Sequence, residues 1–252
     1  MTFDVAAEAY DGFMGRYSRL LSPLLADFGG VAPGHRALDV GCGPGALTGE
    51  LVSRLGADAV AAADPSPPFV AAVRERYPGV EVKEASAESL PFETDAFDVS
   101  LAQLVVHFMA DPVAGLGEMR RVTRPGGMVA ACVWDFAGEA APLSLCWQAA
   151  RQLDAGVVDE SQLAGARQGH LTELFAAAGL RDVEEVALSI EREHASFEEW
   201  WEPYTAGVGP AGAYVAKLNP ARQRALREAC RSLLPTGSFV LTSRAWAARG
   251  RA

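Results

Sequence analysis

Residues 38 to 45 read Leu-Asp-Val-Gly-Cys-Gly-Pro-Gly, with an acid, Asp39, two positions ahead of three glycines spaced two and two. Glycine has no Cβ, so Gly41, Gly43 and Gly45 allow a tight turn and a close approach of main chain to a ligand. Apolar residues precede the turn, and a helical pattern resumes at Ala46-Leu47-Thr48. The start of that helix offers N–H groups without intrahelical partners. Strand, glycine turn and helix together open a nucleotide-binding α/β unit. Gly41, Gly43 and Ala46 also satisfy the dinucleotide pattern Gly-x-Gly-x-x-Gly/Ala, with Asp64 where a ribose-binding acid belongs. An NAD(P)-dependent oxidoreductase is therefore the alternative reading. Further along, His107 is the histidine nearest the carboxyl edge of the strands, and it is the candidate general base.

The elements that must carry these residues alternate regularly. Residues from about 5 to 28 read as one or two helices broken near 12–15. Strands are expected at 36–40, 59–63, 80–84, 97–101 and 128–134, with helices at 46–55, 68–77 and 112–123 between them. This alternation argues for a parallel, doubly wound sheet. After Trp134 the rhythm changes. Residues 135–165 read as helical, 170–178 as a helix, 180–190 as a strand, 197–234 as short helices broken by Pro203, Pro210 and Pro220, and 239–246 as a closing strand.

The glycine segment resembles motif I of the class I S-adenosylmethionine (SAM)-dependent methyltransferases. Asp39 at the strand end, Pro44 in a spacer position, the two-and-two glycine spacing and an N-terminal helical segment ahead of the unit all match that family. A second mark lies at Ala85-Ser86-Ala87-Glu88-Ser89-Leu90-Pro91-Phe92, where relatives commonly read Asp-Ala-x-x-Leu-Pro-Phe. This chain has Ser86 in place of the acid that accepts from the adenine amino group, so any bond there lacks charge assistance. The marks resemble the menaquinone/ubiquinone-biosynthesis-like branch of small-molecule methyltransferases.

The resemblance implies an α/β, Rossmann-like seven-stranded sheet, mostly parallel with an antiparallel C-terminal edge hairpin. It implies one domain over 1–252, with an N-terminal helical cover at about 1–30 and lid insertions at about 136–178 and 196–236. It implies SAM as cofactor. Asp39 would orient the loop or receive the ammonium, Gly41, Cys42, Gly43 and Gly45 would lie along the amino-acid end and ribose, and Asp64 would take the ribose hydroxyls. Pro65, Ser66, Ser86, Ala87 and Glu88 follow toward the adenine, with Gln103 facing the same crevice. Arg16 would pair with the cofactor carboxylate, and Tyr17 or Tyr10 would close over the methionine part. Trp134, Trp147, Trp200, Trp201 and Tyr204 suit either an aromatic acceptor pocket or ordinary core packing.

Composition narrows the partners. Half of the 252 residues are hydrophobic and 21% charged, enough for a sizeable core. The formal net charge of −10 argues against phosphate backbones, and the one arginine cluster, Arg222, Arg224, Arg227 and Arg231, sits at helical spacing around Glu228. A small-molecule acceptor is expected, with no nucleic acid and no membrane span, in a monomer or homodimer. Residues 1–5 lack the basic start and apolar stretch of a secretory signal. Cys42, Cys132, Cys146 and Cys230 show no metal or disulfide spacing, which suits reduced thiols in a cytoplasmic protein. A SAM-binding module without catalysis and a SAM-dependent enzyme that transfers no methyl group complete the alternatives.

Overall fold

Alternating strands and helices assemble into one seven-stranded sheet in the computed structural model, which describes residues 7–252. Helix α1 (Ala7–Tyr10) continues through a π-helical turn (Asp11–Gly15) into α2 (Arg16–Phe28). The expected break at 12–15 is thus a widened helical turn, because Gly15 keeps helical torsions at φ −57° and ψ −31°. Residues 5 and 6 of the expected helix, and the N-terminal residues read against a signal peptide, lie outside the described residues.

The unit then runs β1 (Ala37–Val40), α3 (Ala46–Leu55), β2 (Val60–Asp64), α4 (Pro67–Arg76), β3 (Glu81–Glu84), β4 (Phe97–Gln103), α5 (Pro112–Val122) and β5 (Thr123–Trp134). Strands β1 and β2 are buried on both faces, as interior parallel strands covered by helices must be. The chain continues with α6 (Ser144–Leu153), α7 (His170–Ala177), β6 (Arg181–His194), α8 (Phe197–Trp201), α9 (Gly209–Lys217), α10 (Pro220–Ser232) and β7 (Phe239–Arg251). The strand order is β3-β2-β1-β4-β5-β7-β6, with β7 antiparallel to both neighbours. Strand order reverses between β1 and β4, and open α/β sheets bind ligands outside the carboxyl ends of their strands at such a switch point.

Side-chain alternation sorts the core into two layers. Ala37, Val60, Ala62, Val99 and Leu101 face α2 and α3 through Leu21, Leu25, Leu47 and Leu51. Leu38, Val40, Ala61, Ala63 and Ala102 face the other way, onto Leu116 and Met119 of α5 and Leu171 and Phe175 of α7. Burying each such side chain contributes about 1.5–3 kcal/mol.

Three expectations are corrected. Residues 135–165 are not largely helical: only Ser144–Leu153 forms a helix. Asp135 diverts the chain, since its Oδ1 accepts from the Gly138 N–H (2.8 Å) and its Oδ2 from Arg244 Nε (2.9 Å). The terminal strands are longer than their apolar patterns, because the β6–β7 ladder runs on through Glu191, Arg192 and Glu193. Finally, α7 belongs to the layer beside α5 on the sheet face rather than to a covering insertion. On the opposite side α6 lies against α10, and the 3-10 turn between α8 and α9 (Glu202–Ala206) approaches the N-terminal segment through Tyr204 and Phe13.

Candidate functional site

The glycine turn is held from below before it can hold anything above. Gly41 and Cys42 both donate to the carbonyl of Ala63 (2.7 and 3.1 Å), which ties the turn to the end of β2. Gly41, Gly43 and Gly45 have φ of +68°, +53° and +96°, a region that favours glycine. A Cβ on Gly41 would stand 2.5 Å from the Val105 methyls, and one on Gly45 2.8 Å from the Tyr77 ring. Nothing of the protein comes within 4 Å of a Cβ built on Gly43, which borders open space.

That space is a cleft of about 250 Å³ over the carboxyl ends of β1, β2 and β4. Gly41, Gly43, Asp64, Pro65, Ser86, Ala87, Glu88 and Gln103 all line it, with Tyr10, Phe69 and Met109. A narrow recess continues inward to Asp39, Cys42 and Ser18. Both Asp64 oxygens accept main-chain bonds, Oδ2 from Gly43 and Oδ1 from Ser66, each at 2.8 Å. Burial raises its pKa, against the pull of those two donors. Glu88 accepts from the Ala110 N–H (2.7 Å) and so holds the far wall.

Asp39 is 1% exposed. Alternation along β1 points it toward α3, where Thr48 Oγ1 donates to Oδ2 at 2.6 Å. Oδ1 is buried without a partner. Burial pushes the carboxyl up to about 7, with the charge of Asp64 adding to the shift and the Thr48 bond opposing it. Gln103 ends β4, donates Nε2 to the Ser18 carbonyl (3.1 Å) and leaves Oε1 buried and unpartnered. Two buried acceptors aimed at one recess call for donors from outside. Next to them Leu104 is held at φ +62°, a strained conformation for a branched residue.

Four expected ligand residues stand elsewhere. Gly45 opens α3 as a left-handed turn behind the loop. Ser66 precedes α4 and gives its N–H to Asp64. Arg16 points away from the cleft, with Nη1 2.8 Å from Glu199 Oε1, because that carboxylate, 183 residues on, compensates a guanidinium that is mostly buried. Tyr17 is 1% exposed and its hydroxyl meets His194 Nε2 at 3.3 Å. Tyr10, six residues before Arg16, is the aromatic that reaches the cleft, set edge-on to Phe69 at 5.4 Å.

A second, smaller cavity adjoins the first, and the two share Tyr10, Leu104 and Phe108 as their border. Its lining is mostly apolar (Phe13, Met14, Trp134, Phe136, Leu143 and Val208), with Tyr10, His107 and Glu160 as its polar side chains. Of the candidate aromatics only Trp134 lines it; Trp147 stands behind Glu160, and Trp200, Trp201 and Tyr204 stack with Phe197 as core. The arginine cluster is likewise engaged in packing: Arg227 and Arg231 reach Glu198 and lie over Phe197.

His107 does lie in this cavity, but its chemistry departs from the expected histidine-like ionisation. It is 8% exposed, its Nδ1 has no partner, and burial pushes its pKa down to about 3. The ring is therefore neutral throughout the working range and a weak proton acceptor. Because the folded pKa lies below the unfolded value, its contribution to stability is present above about pH 6.5 and is lost as pH falls toward 3. In an NMR titration the His107 Cε1–H resonance is expected to stay fixed from pH 8 down to 5. A midpoint between 6 and 7 would instead show a hydrated, titrating ring.

Glu160 escaped the sequence reading altogether. It lies in the irregular 154–169 segment with no motif around it, and only its Trp147 partner marks it.

Comparison with known proteins follows the same geometry. Residues 38–131, which span the loop, the cleft walls and most of β5, match a family model described as a methyltransferase domain. The chain is 41% identical over 103 residues to a demethylmenaquinone methyltransferase of Mycobacterium sp. (strain KMS), covering 41% of this chain and 43% of that protein. It is 40% identical over 99 residues to a ubiquinone biosynthesis O-methyltransferase of Cereibacter sphaeroides, covering 38% and 40%. The chain spans about a third to a half of the length of the curated relatives it matches. Among solved structures, geranyl diphosphate C-methyltransferase from Streptomyces coelicolor, bound to Mg²⁺, geranyl diphosphate and S-adenosyl-L-homocysteine, superposes with a TM-score of 0.56 at 17% identity, covering 94% of this chain and 80% of that one. At that identity the likeness is one of fold.

Proposed function

We propose that the chain, whose residues 38–131 match a methyltransferase domain, is a class I SAM-dependent enzyme that transfers the methyl group of SAM to a small, largely apolar acceptor. One observation carries this reading: a cleft built on the glycine turn, with Asp64, Ser86, Glu88 and Gln103 in its walls, abuts a mostly apolar cavity, with Tyr10, Leu104 and Phe108 between them. Two sites sharing a border are what an in-line group transfer needs, since alignment of nucleophile and methyl carbon supplies most of the catalysis.

The residues present suit this cofactor, whose bound form supplies an electrophilic methyl carbon on a sulfonium sulfur. Asp39 Oδ1 and Gln103 Oε1 are unpartnered acceptors for the ammonium of an amino-acid end. Asp64 retains a lone pair on each oxygen for the ribose hydroxyls while it braces Gly43 and Ser66. Ser86 and Ala87 flank the adenine end, and Tyr10 and Phe69 offer ring faces and edges to the middle of the ligand. A dinucleotide fits these groups poorly. Its pyrophosphate would set two negative charges beside Asp39 and Asp64, in a site with no cation to receive them among its lining residues. Relatives named for quinone biosynthesis support an acceptor with an extended apolar body. Helices α8, α9 and α10 with α6 act in this reading as the cover that keeps water from the transfer.

Calorimetry with S-adenosyl-L-homocysteine tests the proposal without knowledge of the acceptor. A micromolar dissociation constant, roughly −8 kcal/mol, is expected. At a hundredfold excess over that constant the melting temperature should rise by about 5–10 °C. NAD binding without S-adenosyl-L-homocysteine binding would overturn the reading.

A further inference from the structure

We propose that the second cavity takes an apolar molecule bearing a hydroxyl or an amine, and that Glu160 hydrogen-bonds this group and accepts its proton as the methyl is transferred. The inference deepens the proposed function, on which its chemistry rests, by assigning the acceptor's polar group and its partner.

The geometry is that of an incomplete site. Glu160 is 3% exposed and lines a cavity whose other walls, His107 and the Tyr10 phenol apart, are apolar. Its Oε2 accepts from Trp147 Nε1 at 2.9 Å, and this indole, itself 4% exposed, is steadied by Tyr214 at 5.4 Å. The carboxyl is thereby aimed. Among the described residues no cation pairs with it: the nearby Arg151 is engaged by Asp159 and Glu139 across the adjoining cleft. An ionised carboxylate buried with one hydrogen bond is under-solvated, and such an arrangement is relieved by a donor or cation that comes from outside. His107, neutral and weakly basic, does not compete for that role.

The transfer balances with these groups alone. The acceptor's oxygen or nitrogen lone pair forms the new bond to the methyl carbon, and the carbon–sulfur pair remains on sulfur. The acceptor's proton passes to the Glu160 carboxylate. Groups that bear on its ionisation are Asp159 on its own segment, Trp147 and Cys146 on α6, and His107 across the cavity. Burial first, and then Asp159, push the carboxyl up to about 7 against the Trp147 bond, so both protonation forms exist near neutrality.

Binding of three matched probes tests this: 2-(aminomethyl)naphthalene, 2-naphthalenemethanol and 2-methylnaphthalene. Titrations use the full chain saturated with S-adenosyl-L-homocysteine. One of the two polar probes is expected to bind the wild type at least tenfold more tightly than the hydrocarbon. An ammonium preference should vanish in Glu160→Gln and a hydroxyl preference in Glu160→Leu, with S-adenosyl-L-homocysteine affinity unchanged within about twofold. The ammonium probe should also release about half a proton at pH 7, read from heats in two buffers, and none in Glu160→Gln. Equal binding of all three probes, or a preference that survives both substitutions, overturns the assignment. Should either variant fail to fold, the wild-type preference decides alone. Failure of the cofactor reading would show separately, as absent S-adenosyl-L-homocysteine binding in the wild type.

Discussion

Asp39→Asn is expected to weaken S-adenosyl-L-homocysteine binding by roughly a hundredfold while making the ligand-free protein melt higher at pH 8. The loss follows from what faces the recess. Asn can keep the Thr48 bond through its carbonyl oxygen, but it then turns an N–H₂ donor toward the place of an ammonium. A charge-assisted bond is worth about 1.5–3 kcal/mol, and an opposed donor adds to the cost. The gain in stability has a definite sign. With a folded pKa of about 7, above the unfolded value near 3.9, Asp39 favours the unfolded chain increasingly as pH rises from about 4 to 7. Below about pH 4 the two proteins should melt together, and their difference should grow up to about pH 7 and then level off. Calorimetry and thermal melts across pH 4–8 check both halves. A variant that is less stable at every pH would mean that the ionised carboxylate has a partner the geometry lacks.

Asp64→Ala is expected to damage both the fold and the binding, unlike Asp39→Asn. Its two oxygens brace Gly43 and Ser66 from within the turn, so removal leaves a buried N–H (Ser66) and a partly buried one (Gly43) without an acceptor. At about 1.5–3 kcal/mol for each charge-assisted bond, less relaxation of the loop, a loss of roughly 3 kcal/mol follows, or about 6–12 °C in melting temperature. Cofactor affinity should fall by more than tenfold, because the ribose acceptor and the shape of the glycine turn go together. Asp64→Asn separates the two contributions: one carbonyl oxygen can brace one of the two N–H groups, so stability should recover in part while affinity does not. An unchanged melting temperature for Asp64→Ala would show that the glycine loop holds its own conformation.

Asp39 and Asp64 also divide what was legible from what was not. Asp39-x-Gly41-x-Gly43-x-Gly45 and the β/α alternation announced a parallel sheet with a ligand turn, because positive φ and strand-to-helix geometry are local demands met by local residues. The count of seven strands and the antiparallel closing pair came with the family likeness, and the sheet has both; the strand order is a finding of the structure. Boundaries in 46–55, 112–123 and 170–178 fall within a residue of the helices, where Pro, Gly and apolar spacing punctuate the chain. The segment 135–165 was misread for the complementary reason: alanine-rich composition favours helix weakly, and Asp135 gains more by joining Gly138 and Arg244, the latter 109 residues away.

Tertiary structure alone decided the chemistry of the side chains. Arg16 has a guanidinium suited to a carboxylate wherever one stands, and it is Glu199, arriving on α8, that claims it. His107 carries an ordinary imidazole until Phe108, Phe136 and the covering segments remove its water. Glu160 is unremarkable in Asp-Glu-Ser until α6 brings Trp147 against it and the walls of the second cavity close around it. Periodicity and turn chemistry are properties of neighbours along the chain, so sequence determines them directly. Desolvation and hydrogen-bond partnership sum over atoms from distant segments, and only the folded chain brings those together.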